Sequence, residues 1–336
     1  MPDDVVIETR GLTRRFRVKG SEKDLTAVDA IDLSIRRGEI FGLLGPNGAG
    51  KTTTINMLVT ILKPTEGVGL VAGRDVAREP TLVRKTVGIV FQEPSIDTIL
   101  TARENLELHA RLYGVPKAER AKRIREMLAL VGLTERADTL VKQFSGGMKR
   151  RLEIARGLLH RPAVLFLDEP TLGLDPQTRE HIWAYVRRLR DEYGTTIVLT
   201  THYMGEADAL CDRIGIIDHG RIIALGTPRE LKATLRGDLV RLRFAAPPDA
   251  GRFKGLAAVE KVEVRGNEAA LTVRDAAANL PRVLAAAGEV ESVEVHRPTL
   301  EDVFIALTGR EIRDDTTEGE AFSDAIMRSA TGGSNR

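Results

Sequence analysis

Residues 45–54 read GPNGAGKTTT, with three glycines, a lysine and three hydroxyls in ten positions. Gly45, Pro46, Asn47, Gly48, Ala49, Gly50, Lys51 and Thr52 match the pattern G-x-x-x-x-G-K-[ST]. Glycine lets main chain wrap closely around phosphate, because a Cβ would block both the approach and the positive φ angles. The loop amides and the start of a following helix then face an anion. Lys51 would reach the β- and γ-phosphates, the Thr52 hydroxyl would bind Mg²⁺, and Thr53 continues the same helix start. A chance glycine turn is the plain alternative, and the strand before and helix after the loop speak against it.

Further along, AVLFLDE (163–169) is an apolar run that ends in two acids. In P-loop folds such a pair lies beside the phosphate loop. Asp168 would hold Mg²⁺ through water, and Glu169 would orient or deprotonate the attacking water. Helix capping is the alternative for an acidic strand end. His202 closes the next apolar run, TTIVLTTH, where it could donate to a γ-phosphate or simply satisfy local partners. Gln92 ends VGIVFQ, where its amide could sense Mg²⁺ or the attacking water. Phe16, on the first strand, could stack on adenine or belong to the core. The other five histidines (109, 160, 181, 219 and 296) receive no assignment. FSGGMKRRLEIARGLLHRP (144–162) opens a second helix with Ser145, Gly146 and Gly147, small residues whose free amides also suit an anion.

These groups need elements to position them. VVIETRGLTRRFRV and TAVDAIDLSIRRGEI alternate and are rich in β-branched residues, which predicts an antiparallel layer. IFGLLG (40–45) predicts a buried strand and TTTINMLVTIL (52–62) a helix, the order a P-loop requires. Further buried strands are predicted at 87–92, 163–169, 195–202 and 213–220. Between Pro94 and His160 the pattern turns helical, an insertion at about 94–160 within a domain of residues 1–236. From 237 to 311, LVRLRFAAPP, VEKVEVRGNEAALTV and VESVEVHRP read as strands, with LPRVLAAAG and TLEDVFIALTG as helices. That predicts a small α+β appendix. The polar stretch 312–336 predicts disorder.

With 336 residues, the chain has length for about two domains. Lys plus Arg total 50 against 48 for Asp plus Glu, a near balance that argues against a nucleic-acid binder. The single cysteine, Cys211, excludes an intrachain disulfide and suits a reducing compartment. No apolar stretch approaches the ~18 residues needed to span a bilayer, and MPDDVVIETR lacks a signal-peptide core. The chain is expected in the cytosol, or held at a membrane by something else.

Taken in order, Phe16, GPNGAGKT, Gln92, FSGGMKRR, VLFLDE, Gly173-Leu174-Asp175-Pro176 and His202 resemble the nucleotide-binding subunit of an ABC transporter over about residues 5–235. The resemblance implies an α/β fold of P-loop NTPase type. It has a mixed sheet core, an antiparallel β layer and a helical insertion. It also implies ATP and Mg²⁺ as ligands, Phe16 on adenine, Gln92 as the loop glutamine, Glu169 as catalytic carboxylate and His202 as switch histidine. Asp175 would lie in the loop joining two sites across a dimer. In this family two domains pair head to tail, so Ser145, Gly146 and Gly147 would serve the partner's γ-phosphate. Phe144 and Met148 replace the usual leucine and glutamine of that motif, and Met148 brings no amide.

HRPTLEDVFIALTGRE, LTARENLELHARLYG and the 144–162 stretch are similar to the daunorubicin/doxorubicin-resistance branch. That branch implies export of a drug-like or lipophilic compound through a separate membrane permease. The ATPase subunit would be a homodimer on the cytoplasmic side of the cell membrane, with no nucleic-acid partner. Alternatives are export of a polysaccharide or lipid, a soluble ABC ATPase on ribosomes or DNA, and an importer ATPase. A single phosphate loop, no long heptad run and balanced charge weigh against the soluble factor, and RPTLEDVFIALTG weighs against the importer.

Overall fold

The computed structural model describes residues 4–17, 24–93, 95–235 and 237–309. It divides into two compact units, one ending at Leu225 and the other beginning at Gly226.

The first unit starts with β1 (Val5–Phe16), β2 (Leu25–Arg36), β3 (Ile40–Leu44), α1 (Lys51–Leu58), β4 (Glu66–Val71), β5 (Arg74–Asp75), α2 (Pro80–Thr86) and β6 (Val87–Val90). Three helices follow, α3 (Ala102–Leu112), α4 (Lys117–Leu130) and α5 (Gly146–Leu158). The chain then returns to the sheet through β7 (Val164–Asp168), α6 (Pro176–Tyr193), β8 (Thr196–Thr201), α7 (Met204–Leu210), β9 (Arg213–Asp218) and β10 (Arg221–Gly226).

Two sheets result. The first has the order β2-β1-β4-β5 with antiparallel neighbours. In β2 the residues from Ile31 to Arg36 alternate buried and exposed, the period of a strand with one face in the core. The second sheet has the order β10-β9-β3-β8-β7-β6, and β9, β3, β8, β7 and β6 run parallel. Every residue of β3, β7 and β8 is buried, which is why these strands read as unbroken apolar runs. One apolar cluster joins the two layers, with Ile7, Leu12 and Ile31 of the first beside Phe41, Phe166 and Val198 of the second.

Several expected elements end early, among them the strand predicted over 213–220, which stops at Asp218. The helix predicted over 52–62 stops at Leu58, because Thr60 takes a left-handed φ of 67°. Its N–H bonds to Met57 O (3.2 Å) and the Ile61 N–H to Asn56 O (2.8 Å), the paired closure of a Schellman turn. The strand predicted to reach residue 92 stops at Val90, so Gln92 stands past the ladder.

The insertion has its own core, in which Leu106 and Ala110 of α3 meet Ile124 and Leu128 of α4 and Leu152 and Ala155 of α5. A capping box of Thr101 and Glu104 starts α3. Helix α5 lies very close to β6. A Cβ on Gly88 would stand 2.1 Å from the carbonyl oxygen of Gly157. This contact seats the Ser145 helix against the sheet.

The second unit holds α8 (Pro228–Ala233), β11 (Asp238–Arg243), β12 (Val259–Arg265), β13 (Glu268–Val273), α9 (Ala276–Ala287), β14 (Ser292–His296) and α10 (Leu300–Thr308). Its sheet, β12-β13-β11-β14, is antiparallel throughout and shares a core of Val240, Leu242, Phe253, Leu271 and Val283 with α9. On α10, Leu300, Val303 and Phe304 are buried while Leu307 remains half exposed, so the apolar stripe is only partly used. The expectation of disorder for 312–336 lies outside the described residues.

Gly88→Ala should destabilise the protein by about 1–3 kcal/mol, since the added methyl must push α5 off β6. Thermal unfolding of the variant checks this, and an unchanged midpoint would show that the helix moves away at no cost.

Candidate functional site

The site begins where parallel strands end together. Leu44 of β3 lies opposite Thr201 of β8, and Thr200 lies opposite Asp168 of β7. The residues that follow, Gly45, His202 and Glu169, therefore emerge at one edge of the sheet. Gly50 closes the loop with φ 104°, and a Cβ there would come within 2.5 Å of Ala27 O. Only glycine meets both conditions.

Lys51 is buried at the start of α1, and its Nζ donates to the carbonyls of Gly45 (2.8 Å) and Pro46 (3.0 Å). The same ammonium stands 3.4 Å from Oε1 of Glu169. Oε2 of Glu169 is 3.2 Å from Nδ1 of His202. The Thr52 hydroxyl donates to Oδ1 of Asp168 at 3.2 Å, and the Thr200 hydroxyl donates to that same oxygen. Thr200 also accepts the Glu169 N–H at 3.0 Å, so one hydroxyl holds both acids. Glu169 has a left-handed φ of 46°, strain of the kind that collects at functional sites.

The two acids respond differently to this environment. Burial pushes the Asp168 carboxyl above its ordinary range, against the pull of the Thr200 and Thr52 hydrogen bonds. Burial also acts to raise Glu169, but the His202 hydrogen bond and the Lys51 charge outweigh it and hold that carboxyl below the usual range. Burial lowers Lys51, with Glu169 opposing. Glu169 is thus a carboxylate at neutral pH, able to accept a proton. Thr52 and Asp168 supply oxygen donors of the hard type that Mg²⁺ prefers, and the glycine loop and the Lys51 ammonium are N–H donors of the kind a phosphate takes. The residues fit a magnesium nucleotide.

Five expected residues, Lys51, Thr52, Asp168, Glu169 and His202, thus form one connected set. Thr53 follows within α1, also buried. Gln92 lies just past β6 and is exposed. The Phe16 ring is 4% exposed, with the Arg14 guanidinium 4.6 Å from its centroid.

A second group gathers around the starts of α5 and α6. Ser145 is the N-cap of α5 and accepts the Met148 N–H at 3.3 Å. Gly146 and Gly147 occupy the first turn, where backbone N–H groups have no partner within the helix. A Cβ on Gly147 would stand 2.5 Å from Cγ2 of Thr178, so this glycine also permits the two helices to meet. Asp175 caps α6, accepting from Thr178 N (2.9 Å) and from its hydroxyl (2.6 Å). Sequence reasoning missed Thr200, although a hydroxyl inside a buried apolar strand two residues before His202 is a usable signal. It also missed Arg150, which touches the acids only through their carbonyls.

Residues 28–172 match the ABC transporter family model, and residues 226–308 match the model for the C-terminal domain of DrrA1-3-like ATP-binding proteins. The chain is 42% identical to the daunorubicin/doxorubicin resistance ATP-binding protein DrrA of Streptomyces peucetius, over 95% of this chain and 97% of that one. It is 41% identical to the Nod factor export ATP-binding protein I of Ralstonia nicotianae, over 92% of this chain and 95% of that one. Among solved structures, a dimer of the ATP-binding cassette MJ0796 bound to ADP and Pi aligns with TM-score 0.60 at 30% identity, covering 66% of this chain and 98% of that one. Among the described residues no helix is long and apolar enough to cross a membrane. With the phosphate loop, the strand-end acids and both family matches in agreement, the chain belongs to the ATP-binding, ATP-hydrolysing subunits of ABC transporters, in the DrrA-like branch.

Proposed function

We propose that this chain, as a homodimer on the cytoplasmic side of the cell membrane, hydrolyses ATP to drive export of a drug-like or lipophilic compound through a separate permease. The observation that carries the catalytic part is the contact line from Lys51 to Glu169 (3.4 Å) and on to His202 (3.2 Å). The loop of residues 45–50, through N–H groups after Pro46, holds the ATP phosphates with Lys51 and Thr53. Thr52, Asp168 and Gln92 hold Mg²⁺, which would neutralise charge on the transferring phosphoryl group. Glu169 takes the proton of the attacking water while His202 holds Glu169 and donates toward the γ-phosphate. Phe16, buried with the Arg14 guanidinium over its ring, is assigned to the adenine by the family resemblance alone.

The second copy completes each site. Ser145, Gly146 and Gly147 at the start of α5 bind the γ-phosphate held by the partner's loop, and Asp175 belongs to the turn between the two sites. The Gly146 and Gly147 amides, which have no acceptor within the helix, and the positive end of a 13-residue helix support this. For the permease, Leu108 and Leu112 project from one face of α3 and, with Ile99, are exposed apolar groups on the insertion. For the cargo, the support is the relative named for daunorubicin/doxorubicin resistance. The relative named for Nod factor export favours a second reading, with a polysaccharide or lipid as cargo.

Glu169→Gln should lower turnover by at least about 10²-fold while ATP still binds, because an amide keeps the shape but accepts no proton. Steady-state hydrolysis and nucleotide binding, measured together, test it; normal turnover removes Glu169 from the role. Ser145→Arg should also stop hydrolysis. When Ser145→Arg chains are mixed with Lys51→Ala chains, one intact site should regain ATP binding. Failure to regain it speaks against the trans arrangement. Co-purified with its membrane neighbour, the ATPase should be stimulated by lipophilic antibiotics; stimulation by polysaccharide or lipid alone would select the second reading.

A further inference from the structure

Helix α5 carries an ion pair into the protein interior. Arg150 and Glu153 lie one turn apart and are 7% and 1% exposed. Desolvating two such ions costs several kcal/mol each unless every remaining donor and acceptor is matched. Here the matching is specific. Oε2 of Glu153 accepts from Arg150 at 3.1 Å, and its Oε1 accepts the backbone N–H of Ser95 at 2.8 Å. The rest of the guanidinium is spent on main-chain carbonyls. Nε donates to Pro170 (2.9 Å), Nη2 to Asp168 (2.9 Å) and Glu169 (3.2 Å), and Nη1 to Phe91.

Every one of those carbonyls belongs to, or adjoins, a segment with a functional residue. Phe91 precedes Gln92, and Ser95 follows it by three positions. Arg156, about three turns along α5 from Ser145-Gly146-Gly147, also donates to the carbonyl and the hydroxyl of Ser95. The Gln92 segment is thus gripped on both sides by α5. The turn from Asp168 to Pro170 is gripped by the same guanidinium. Glu169, with its strained left-handed backbone, is held at its N–H by Thr200 and at its C=O by Arg150.

We propose that Arg150, anchored by Glu153, is a positioning residue for ATP hydrolysis. It locks the Gln92 segment, the Glu169 turn and the Ser145 helix into one body, so that a shift of the Gln92 segment reaches the Glu169 carboxylate. The proposal rests on the reading of Glu169 as the base. A planar fork is essential to it. Lysine would keep the charge beside Glu153 but could not span carbonyls in three directions.

Three variants of the full chain test this: Arg150→Lys, Arg150→Met, and Arg150→Met combined with Glu153→Met. The lysine variant should bind ATP within about threefold of wild type while kcat falls about 10- to 100-fold, the split expected when only reaction geometry is lost. Arg150→Met leaves Glu153 buried without its cation and should lower the thermal midpoint. The double variant removes both charges and should recover that midpoint without recovering kcat. Wild-type kcat in either the lysine or the double variant would overturn the proposal. So would a kcat loss that tracks ATP affinity and thermal midpoint in all three, because that is the behaviour of a structural pair. Full turnover by Glu169→Gln, measured alongside, overturns the base assignment instead, whatever the Arg150 variants do.

Discussion

The register of three buried parallel strands decides where the chemistry can be. β3, β8 and β7 pair so that Leu44 faces Thr201 and Thr200 faces Asp168. Because a parallel ladder ends its strands at one edge, the residues after them become neighbours regardless of sequence distance. Thr52 and Asp168, 116 positions apart, meet this way at 3.2 Å. A slip of one residue in β8 would turn Thr200 to the other face. Asp168 would lose a hydroxyl donor and Glu169 its N–H acceptor. The fully buried strands resist such a slip, since every residue in them is committed to packing.

That edge also explains how two adjacent acids acquire different properties. Asp168 is the last residue of its strand and meets two hydroxyls, while burial raises its carboxyl. Glu169 has left the strand with a left-handed turn and meets Lys51 and His202, which hold its carboxyl low. Neighbouring carboxyls whose environments push them apart can take separate tasks. Position rather than basicity separates their places: Asp168 can share a cation with Thr52, while Glu169, held ionised but made the weaker base by its lowered carboxyl, stands between Lys51 and His202. The left-handed turn at Glu169 therefore matters, because a continued strand would send its side chain to the sheet face opposite Asp168, whereas the turn brings it to Lys51 and His202.

Much of the fold was legible because it is periodic. Alternation in β2, unbroken apolar runs in β3, β7 and β8, and the glycine loop between β3 and α1 are each properties of a few consecutive residues. What was not legible depends on contacts that no short window contains. The halt of α1 at Leu58 turns on Thr60 adopting a conformation that its side chain disfavours. Arg150 reads as one more cation on an amphipathic helix, yet its partners are carbonyls 18 to 59 positions away. The same holds for Gly88, whose need for glycine arises from a carbonyl on α5. Local pattern reveals which residues can do chemistry, and long-range contact reveals which ones hold them still.

The residues around Ser145 show why a motif alone does not separate these two kinds of work. Gly147 lies where a side chain would collide with Thr178, and Thr178 in turn holds the Asp175 cap. Within one chain, then, part of the Ser-Gly-Gly sequence is accounted for by packing α5 against α6. Gly146 is different: its nearest neighbour to an added Cβ is Leu174 at 3.8 Å, an ordinary contact that packing alone would tolerate. Its small size is not explained by anything it touches within the chain, whereas close approach of a phosphate to its amide would explain it. Of the three residues, Gly146 therefore gives the strongest support to a second copy's nucleotide at this helix start.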